Sequence, residues 1–185
     1  MNAESNPDQD FEPWEILRIL NEEGVHYVVI GGLAAVLHGS SLPTQDVDIL
    51  PLRDSDNLER LSGALTRMGA KIRTSNDPVA APIDRAFLDA IPLMLNLVTE
   101  YGDLDIAFDP AGPKRGFSEW DADATPLDVG NNLIVRVAAL ADVIDSKTSA
   151  NRLKDQRALP YLESLQDQLR SKHPRNPEAA DDVDP

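Results

Sequence analysis

The sequence predicts an α+β fold, in which a mixed β-sheet is flanked by helices and followed by a helical C-terminal segment. Six short β-rich runs lie between residues 26 and 137, and amphipathic helical patterns are interspersed among them. Two further helical patterns follow residue 138. The apolar fraction of 42% over 185 residues is sufficient for the packed core of one domain.

The predicted helices are marked by caps, stops and apolar spacing. Pro13 suits the first turn of the first helix, and Gly24 ends it. Asp54 or Ser55 can cap the third helix, which Gly69 follows. The five predicted helices span 11–23, 33–37, 54–68, 139–149 and 154–172.

The predicted strands are short runs rich in Val, Ile and Leu. They span 26–30, 47–52, 71–74, 93–99, 104–108 and 132–137. The fourth and fifth are expected to form a hairpin through residues 100–103. Three prolines make 75–92 loop-like, and 109–128 is expected to be irregular except for a short element at 117–120.

Charge and composition narrow the classes of function. The net charge is −15, which disfavours broad, non-specific binding to nucleic acid. The chain has no cysteine and three dispersed histidines, so a bound metal would need oxygen ligands. No apolar run reaches the length of a membrane span, and the acidic N-terminus contains no secretory signal pattern. A cytoplasmic protein without a membrane partner is therefore expected.

Four regions are expected along the chain. Residues 1–10 and 174–185 are polar, without apolar periodicity, and are predicted to be disordered tails. Residues 11–137 form the predicted α/β core, and residues 138–173 form helices predicted to complete a cleft.

Two carboxylates interrupt an apolar run soon after a glycine pair. Asp46 and Asp48 share one face of the predicted strand, because successive side chains of a strand point to opposite faces. The second hairpin strand repeats the pattern with Asp103 and Asp105. If the two strands are neighbours, three carboxylates converge, and their mutual repulsion favours a divalent cation such as Mg²⁺.

Small and hydroxyl residues surround this pattern. Gly31 and Gly32 provide a turn whose backbone amides could approach phosphate oxygens. Ser40 could donate a hydroxyl to a nucleotide or simply shape the turn, and Thr44 can order the entry into the strand. His38 is expected to be a packed residue rather than a catalytic one.

The sequence resembles the signature of the DNA polymerase β-like nucleotidyltransferase superfamily. The resemblance lies in the pair Gly31-Gly32, followed after thirteen residues by Asp46-Val47-Asp48. Asp105 matches the third carboxylate of that superfamily. The segment 137–165 is similar to the end of small bacterial AbiEii-type toxin nucleotidyltransferases, which carry a helical lysine and an Arg-x-Lys-Asp element. The resemblance covers roughly residues 14–168.

The resemblance implies transfer of a nucleoside monophosphate from a nucleoside triphosphate (NTP) to an acceptor hydroxyl, with release of pyrophosphate. Asp46, Asp48 and Asp105 would be the catalytic residues and the ligands of Mg²⁺ or Mn²⁺. The nucleotide would contact the following residues: Gly31, Gly32, Ser40, Thr44, Lys147, Arg152 and Lys154. The acceptor would be a tRNA 3′ end or a protein hydroxyl, and the chain could be the toxin-like member of a pair with a cognate antitoxin.

The sequence leaves two alternatives open. The acidic surface also suits an antibiotic-modifying adenylyltransferase, because aminoglycosides are cationic. Leu33 stands where many members of the superfamily have a serine that contacts phosphate, which keeps open a non-catalytic relative that binds a nucleotide or a partner.

Overall fold

The computed structural model describes residues 11–172, and the predicted tails at 1–10 and 174–185 lie outside them. The helices are α1 Pro13–Glu22, α2 Gly31–Leu37, α3 Ser55–Arg67, α4 Arg85–Ala90, α5 Gly116–Asp123, α6 Leu140–Ala150 and α7 Leu153–Lys172. The strands are β1 Tyr27–Ile30, β2 Asp46–Pro51, β3 Lys71–Ile72, β4 Met94–Thr99, β5 Gly102–Ala107, β6 Thr125–Asp128 and β7 Ile134–Val137. The predicted α+β class is confirmed.

The seven strands form one mixed sheet in the order β3-β4-β5-β2-β1-β7-β6. Strand β2 lies at its centre, antiparallel to β1 and parallel to β5. The register of the parallel pair places Asp46 beside Asp103 and Asp48 beside Asp105. The fold therefore brings the two acidic strands together as neighbours.

Apolar side chains on the other face of these strands anchor them in the core. Val47 and Ile49 of β2, and Leu104 and Ile106 of β5, are fully buried. Because one face is apolar and buried, a slip of one residue would expose the whole set, so the register is strongly specified.

A buried asparagine ties helix α3 to the sheet. The Asn57 side chain accepts a hydrogen bond from the backbone of His26 at 2.7 Å, and its amide donates to the carbonyls of His26 and Leu52. Asp54 caps the helix by accepting from the Asn57 backbone N–H at 2.8 Å, as the sequence predicts.

The C-terminal helix α6 packs near α2. Leu140 and Val143 of α6 are buried. The His38 ring nitrogen Nε2 lies 2.8 Å from the Ala138 carbonyl oxygen, in agreement with a packing role for this histidine. Asn151 turns the chain between α6 and α7 with a φ of 48°. No helix among residues 11–172 is long and apolar enough to cross a membrane.

Three local predictions were wrong. Helix α4 lies within the predicted loop 75–92, where Asp84 caps it by accepting from the Phe87 N–H at 2.8 Å. Helix α5 contains the short element expected at 117–120 but is longer, and strand β6 also lies in the region otherwise predicted to be irregular. Gly102 and Asp103 belong to β5 rather than to the hairpin turn, because Gly102 adopts a φ of +117° and pairs with Thr99.

Candidate active site

Three carboxylates meet where β2 and β5 lie side by side. Asp46 and Asp48 project from one face of β2, and Asp105 projects from β5 in register with Asp48. Each offers one carboxylate oxygen, and the three oxygens lie within 4.8 Å of one another. We call these three residues the strand wall.

The glycine pair is required by the close approach of α2 to the strand wall. Gly31 has a φ of +64°, and a Cβ atom there would overlap the Asp48 carboxylate. A Cβ at Gly32 would lie 2.5 Å from Thr44 Oγ1. The backbone N–H of Gly32 donates a hydrogen bond to Asp48. The absence of side chains thus lets the first turn of the helix reach the carboxylates.

The environment of the strand wall disfavours charge on its buried members. Burial, together with the charges of Asp46 and Asp105, raises the pKa of Asp48 from 3.8 to about 7. Burial also raises the pKa of Asp105, against the opposing effect of Arg73. Three carboxylates whose negative charges repel one another are stabilised by a bound hard divalent cation, so the cluster fits such an ion.

Hydroxyl groups near the strand wall bond to groups within the protein. Thr44 Oγ1 donates to Asp46 Oδ1 at 3.0 Å, as its predicted role in ordering the strand entry requires. Ser40 is buried, and its Oγ accepts from the Leu42 N–H at 3.2 Å, so the hydroxyl shapes the turn. Both residues lie in the lining of the adjacent cleft, and their contact with a nucleotide stays a prediction.

Arg73 is the residue at this site that sequence reasoning missed. Its guanidinium pairs with Asp103 through Nη1 and donates to Asp105 Oδ1 through Nη2 at 2.5 Å. Asn96, opposite Asp105 on β4, also hydrogen-bonds to Asp105. Arg73 directly follows the two-residue strand β3. The local sequence does not indicate that β3 pairs with β4, on the side of β4 away from β5.

Three basic residues face the strand wall from α6, from α7 and from the turn between them. Lys147, Arg152 and Lys154 line the same cleft, and we call them the helix wall. The buried side chains Leu140 and Val143 hold α6 against the core, and Lys147 of the same helix lies in the cleft lining. The charge of Lys154 slightly opposes the rise in the pKa of Asp48 that burial causes, so the two walls interact electrostatically.

A buried aspartate organises two members of the helix wall. Asp155 is fully buried, and it accepts from Lys147 Nζ at 3.2 Å and from Arg152 Nε at 2.7 Å. Burial alone would raise its pKa, but these two cations lower it overall. Asp155 therefore orients Lys147 and Arg152.

The two walls enclose a cleft of about 670 Å³. Besides the charged residues, its lining includes apolar side chains from three parts of the chain, among them Leu42, Met94 and Leu162. The volume falls in the range typical of small-molecule and cofactor sites.

No known family model matches the sequence, and no curated protein matches it. Solved structures do match. The lincomycin-bound lincosamide antibiotic adenylyltransferase LnuA is 19% identical, with a TM-score of 0.57 over 85% of this chain and 99% of that one. ANT(2'')-Ia in complex with adenylyl-2''-tobramycin is 14% identical, with a TM-score of 0.51 over 86% of this chain and 95% of that one.

A solution structure of the antibiotic-resistance factor ANT(2'')-Ia is also 14% identical, with a TM-score of 0.52 over 86% of this chain and 90% of that one. At these identities the likeness concerns the fold. The specific resemblance to AbiEii-type proteins stays a prediction. The chain has the fold of these nucleotidyltransferases, with a seven-stranded mixed sheet, flanking helices and a helical C-terminal segment.

Proposed function

We propose that this protein is a metal-dependent nucleotidyltransferase that moves a nucleoside monophosphate from an NTP to an acceptor hydroxyl. The observation that carries the proposal is the strand wall: three carboxylate oxygens within 4.8 Å, held on paired strands and opening into a cleft. A domain that only bound nucleotides would have no need for three converging acids, which repel one another without a cation.

The donor set suits Mg²⁺ or Mn²⁺. Both ions prefer carboxylate oxygens and leave coordination positions open for phosphate oxygens. The site would hold two metal ions. Asp46 and Asp48 would bind the ion on the triphosphate side, and Asp105 would join them in binding the second ion. When bound, such ions neutralise the triphosphate and acidify the attacking hydroxyl.

The protein's own groups account for the remaining requirements of the reaction. Asp105 would accept the proton of the acceptor hydroxyl, and its raised pKa is appropriate for a base. The hydroxyl oxygen would form a bond to the α-phosphorus, while the bond from that phosphorus to pyrophosphate breaks. The geometry must hold these groups in line, so positioning by the rigid strand pair is the main contribution of the fold.

The helix wall and the glycine turn would bind the nucleotide. Lys147, Arg152 and Lys154 supply positive charge on the side of the cleft opposite the carboxylates, suited to the outer phosphates. The backbone N–H groups of the first α2 turn, including that of Leu33, would approach the triphosphate without needing a side-chain hydroxyl. Ser40 and Thr44 lie beside this turn.

A small-molecule hydroxyl is the acceptor that the charge distribution favours. The net charge of −15 attracts cationic acceptors and repels polyanions. The solved structures of similar fold include enzymes named for lincosamide adenylylation and crystallised with an adenylylated tobramycin. These relatives support an antibiotic-like acceptor for this chain.

Transfer to a tRNA 3′ end or a protein hydroxyl is the second candidate. It is supported by the Arg152-x-Lys154-Asp155 element, which places two cleft-lining cations beside a buried acid. In this case the chain would act in the cytoplasm as the toxin-like half of a pair with an antitoxin.

The test uses two positions of the label. Each of the four NTPs is supplied with Mg²⁺ and with a radioactive label on the α- or the γ-phosphate. Three sources of acceptor are tested separately: a panel of aminoglycosides and lincosamides, total tRNA, and cell extract. Nucleotidyl transfer requires the α-label in the acceptor and the γ-label in pyrophosphate. A γ-label in the acceptor would instead indicate phosphoryl transfer and contradict the proposal.

Asp105→Asn is the negative control, and Asp56→Asn is the matched control because Asp56 is an exposed acid on α3. The product should be lost in the first variant and retained in the second. Absence of any α-labelled product from all acceptors, with Mn²⁺ as well as Mg²⁺, would favour the non-catalytic alternative.

A further inference from the structure

Arg73 occupies an unusual position at the edge of the strand wall, next to β5. Its side chain is only 17% exposed, and its two arms reach two carboxylates, Asp103 and Asp105, on the same strand. Arg73 and Asp103 do not belong to the cleft lining, whereas Asp105 does. The arginine therefore contacts the strand wall from beside the cleft, across β4, on the sheet face that carries the acids.

The contact is made to one oxygen of Asp105. Arg73 Nη2 donates to Oδ1 at 2.5 Å, and Asn96 adds a hydrogen bond to the same carboxylate. Asp103 fixes the other arm of the guanidinium. Because a guanidinium is a planar fork, the Asp103 contact restricts the angle at which the other arm meets Asp105.

We infer that Arg73 is a positioning residue that fixes Asp105 through one oxygen and leaves its other oxygen for a divalent cation and the acceptor hydroxyl. This inference rests on the proposed function, because it needs the strand wall to bind a metal. It gives Asp103 a role too, as the anchor of Arg73 rather than as a metal ligand.

The charge of Arg73 and its geometry have opposite effects on metal binding. Removing the positive charge would by itself attract a cation more strongly to the remaining carboxylates. Losing the fork would misplace Asp105. Arg73→Lys separates the two, because lysine keeps the charge but offers one ammonium group instead of two fixed arms.

The expected result for Arg73→Lys is a loss of about 10-fold in Mn²⁺ affinity by calorimetry without nucleotide, typical of changes to groups that orient metal ligands. The turnover number of transfer should fall by about 10- to 100-fold. The KM for the NTP should change by less than about 3-fold, because Arg73 does not contact Asp46 or Asp48, which would hold the triphosphate side.

Arg67→Lys is the matched control. Arg67 also bridges two carboxylates, Glu22 and Glu23, but on the exposed surface between α1 and α3. Metal affinity and transfer should be unchanged in this variant. Asp103→Asn is a second test: it frees one arm while leaving Arg73 on Asp105, and the turnover number should fall by about 3-fold.

The outcomes separate the inference from the proposed function. If the wild-type protein binds Mn²⁺ and Arg73→Lys keeps its affinity and turnover within 2-fold, the positioning role is wrong. If the wild-type protein binds no Mn²⁺, the metal site of the proposed function fails instead. If Arg73→Lys is unfolded by circular dichroism, Asp103→Asn decides, and unchanged turnover in that variant overturns the inference.

Discussion

The two walls of the cleft are charged oppositely and are built differently. On the strand wall, Asp46 and Asp48 face the cleft. Within residues 11–172, neither carboxylate forms an ion pair with a lysine or arginine. On the helix wall, Lys147 and Arg152 are already paired with the buried Asp155. Asp105, the third member of the strand wall, is paired with Arg73. Asp46 and Asp48 thus retain a demand for positive charge, while part of the helix wall has its charge satisfied within the protein.

This difference indicates how each wall would serve a nucleotide. Paired cations are held in fixed positions but attract a further anion less strongly, because Asp155 offsets part of their charge. Crowded carboxylates bind a cation strongly, because binding relieves their repulsion. We therefore expect changes to the strand wall to have the larger effects on transfer.

The largest effect is expected for Asp105→Asn. An amide cannot take the proton of the hydroxyl, so transfer should fall by about 10³-fold or more while nucleotide binding largely survives. Asp103→Asn should be much milder. Comparison of turnover numbers and nucleotide affinities for both variants tests this ranking, and the reverse ranking would contradict the assignment of the two strand positions.

Asp155→Asn should have the next largest effect, on stability. The change leaves the half-buried Lys147 without its anionic partner, which lowers the free energy of unfolding by about 2–4 kcal/mol. Urea denaturation measures the loss. Asp167→Asn, at an exposed position on the same helix, should change stability by less than about 0.5 kcal/mol. Equal stability of the two variants would show that the buried pairing contributes nothing.

A smaller effect is expected for Lys147→Ala. A charge-assisted contact to an outer phosphate is worth about 1.5 kcal/mol, so triphosphate affinity should fall about 10-fold. Monophosphate affinity should change much less, because a monophosphate lacks the outer phosphates. Lys172→Ala, at the exposed end of α7, is the control. An equal loss for both nucleotides, or no loss, would remove Lys147 from the nucleotide site.

The last effect is on the free energy of unfolding of the protein without metal. The raised pKa of Asp48 means that the folded protein holds a proton that the unfolded chain releases between pH 3.8 and about 7. The free energy of unfolding therefore falls as the pH rises through this window, and the full cost is present above it. Asp48→Asn should be more stable than wild type at pH 8 without metal, and the difference should shrink as the pH falls toward 4.

Excess Mn²⁺ provides the complementary measurement for Asp48→Asn. Metal binding to the folded state should stabilise the wild type more than the variant and so reduce or reverse the difference. Thermal unfolding at pH 8 with chelator and with Mn²⁺ measures both conditions. A variant that is less stable than wild type with chelator would show that Asp48 carries no unfavourable charge.

The strand wall was predictable from sequence because it depends on local periodicity. The alternation in β2 and β5 places their four acids on one face and buries Val47 and Ile49 on the other, whatever the rest of the chain does. The pairing of the two strands was stated as a condition, and the parallel register fulfils it. Gly31 could likewise be assigned to a turn with positive φ.

The partners of the charged residues were less predictable, because they come from distant parts of the chain. Arg73 reaches Asp105 across 32 positions, through the pairing of the two-residue strand β3 with β4. Two residues provide too short a pattern to fix a strand's neighbour. Asp155 contacts Lys147 only because Asn151 turns α7 back against α6 with a left-handed backbone conformation. Helix α4 was missed because six residues between prolines carry little periodicity.

The most direct test of the account is calorimetric titration of Mn²⁺-nucleotide into the wild-type protein and the Asp46→Asn/Asp48→Asn double variant, with circular dichroism to confirm that both are folded. The strand wall predicts binding by the wild type and a loss of at least about 100-fold in the double variant, because two ionised ligands are replaced by neutral amides. Equal Mn²⁺-nucleotide affinity in the two folded proteins would contradict the central claim that these carboxylates form the metal site.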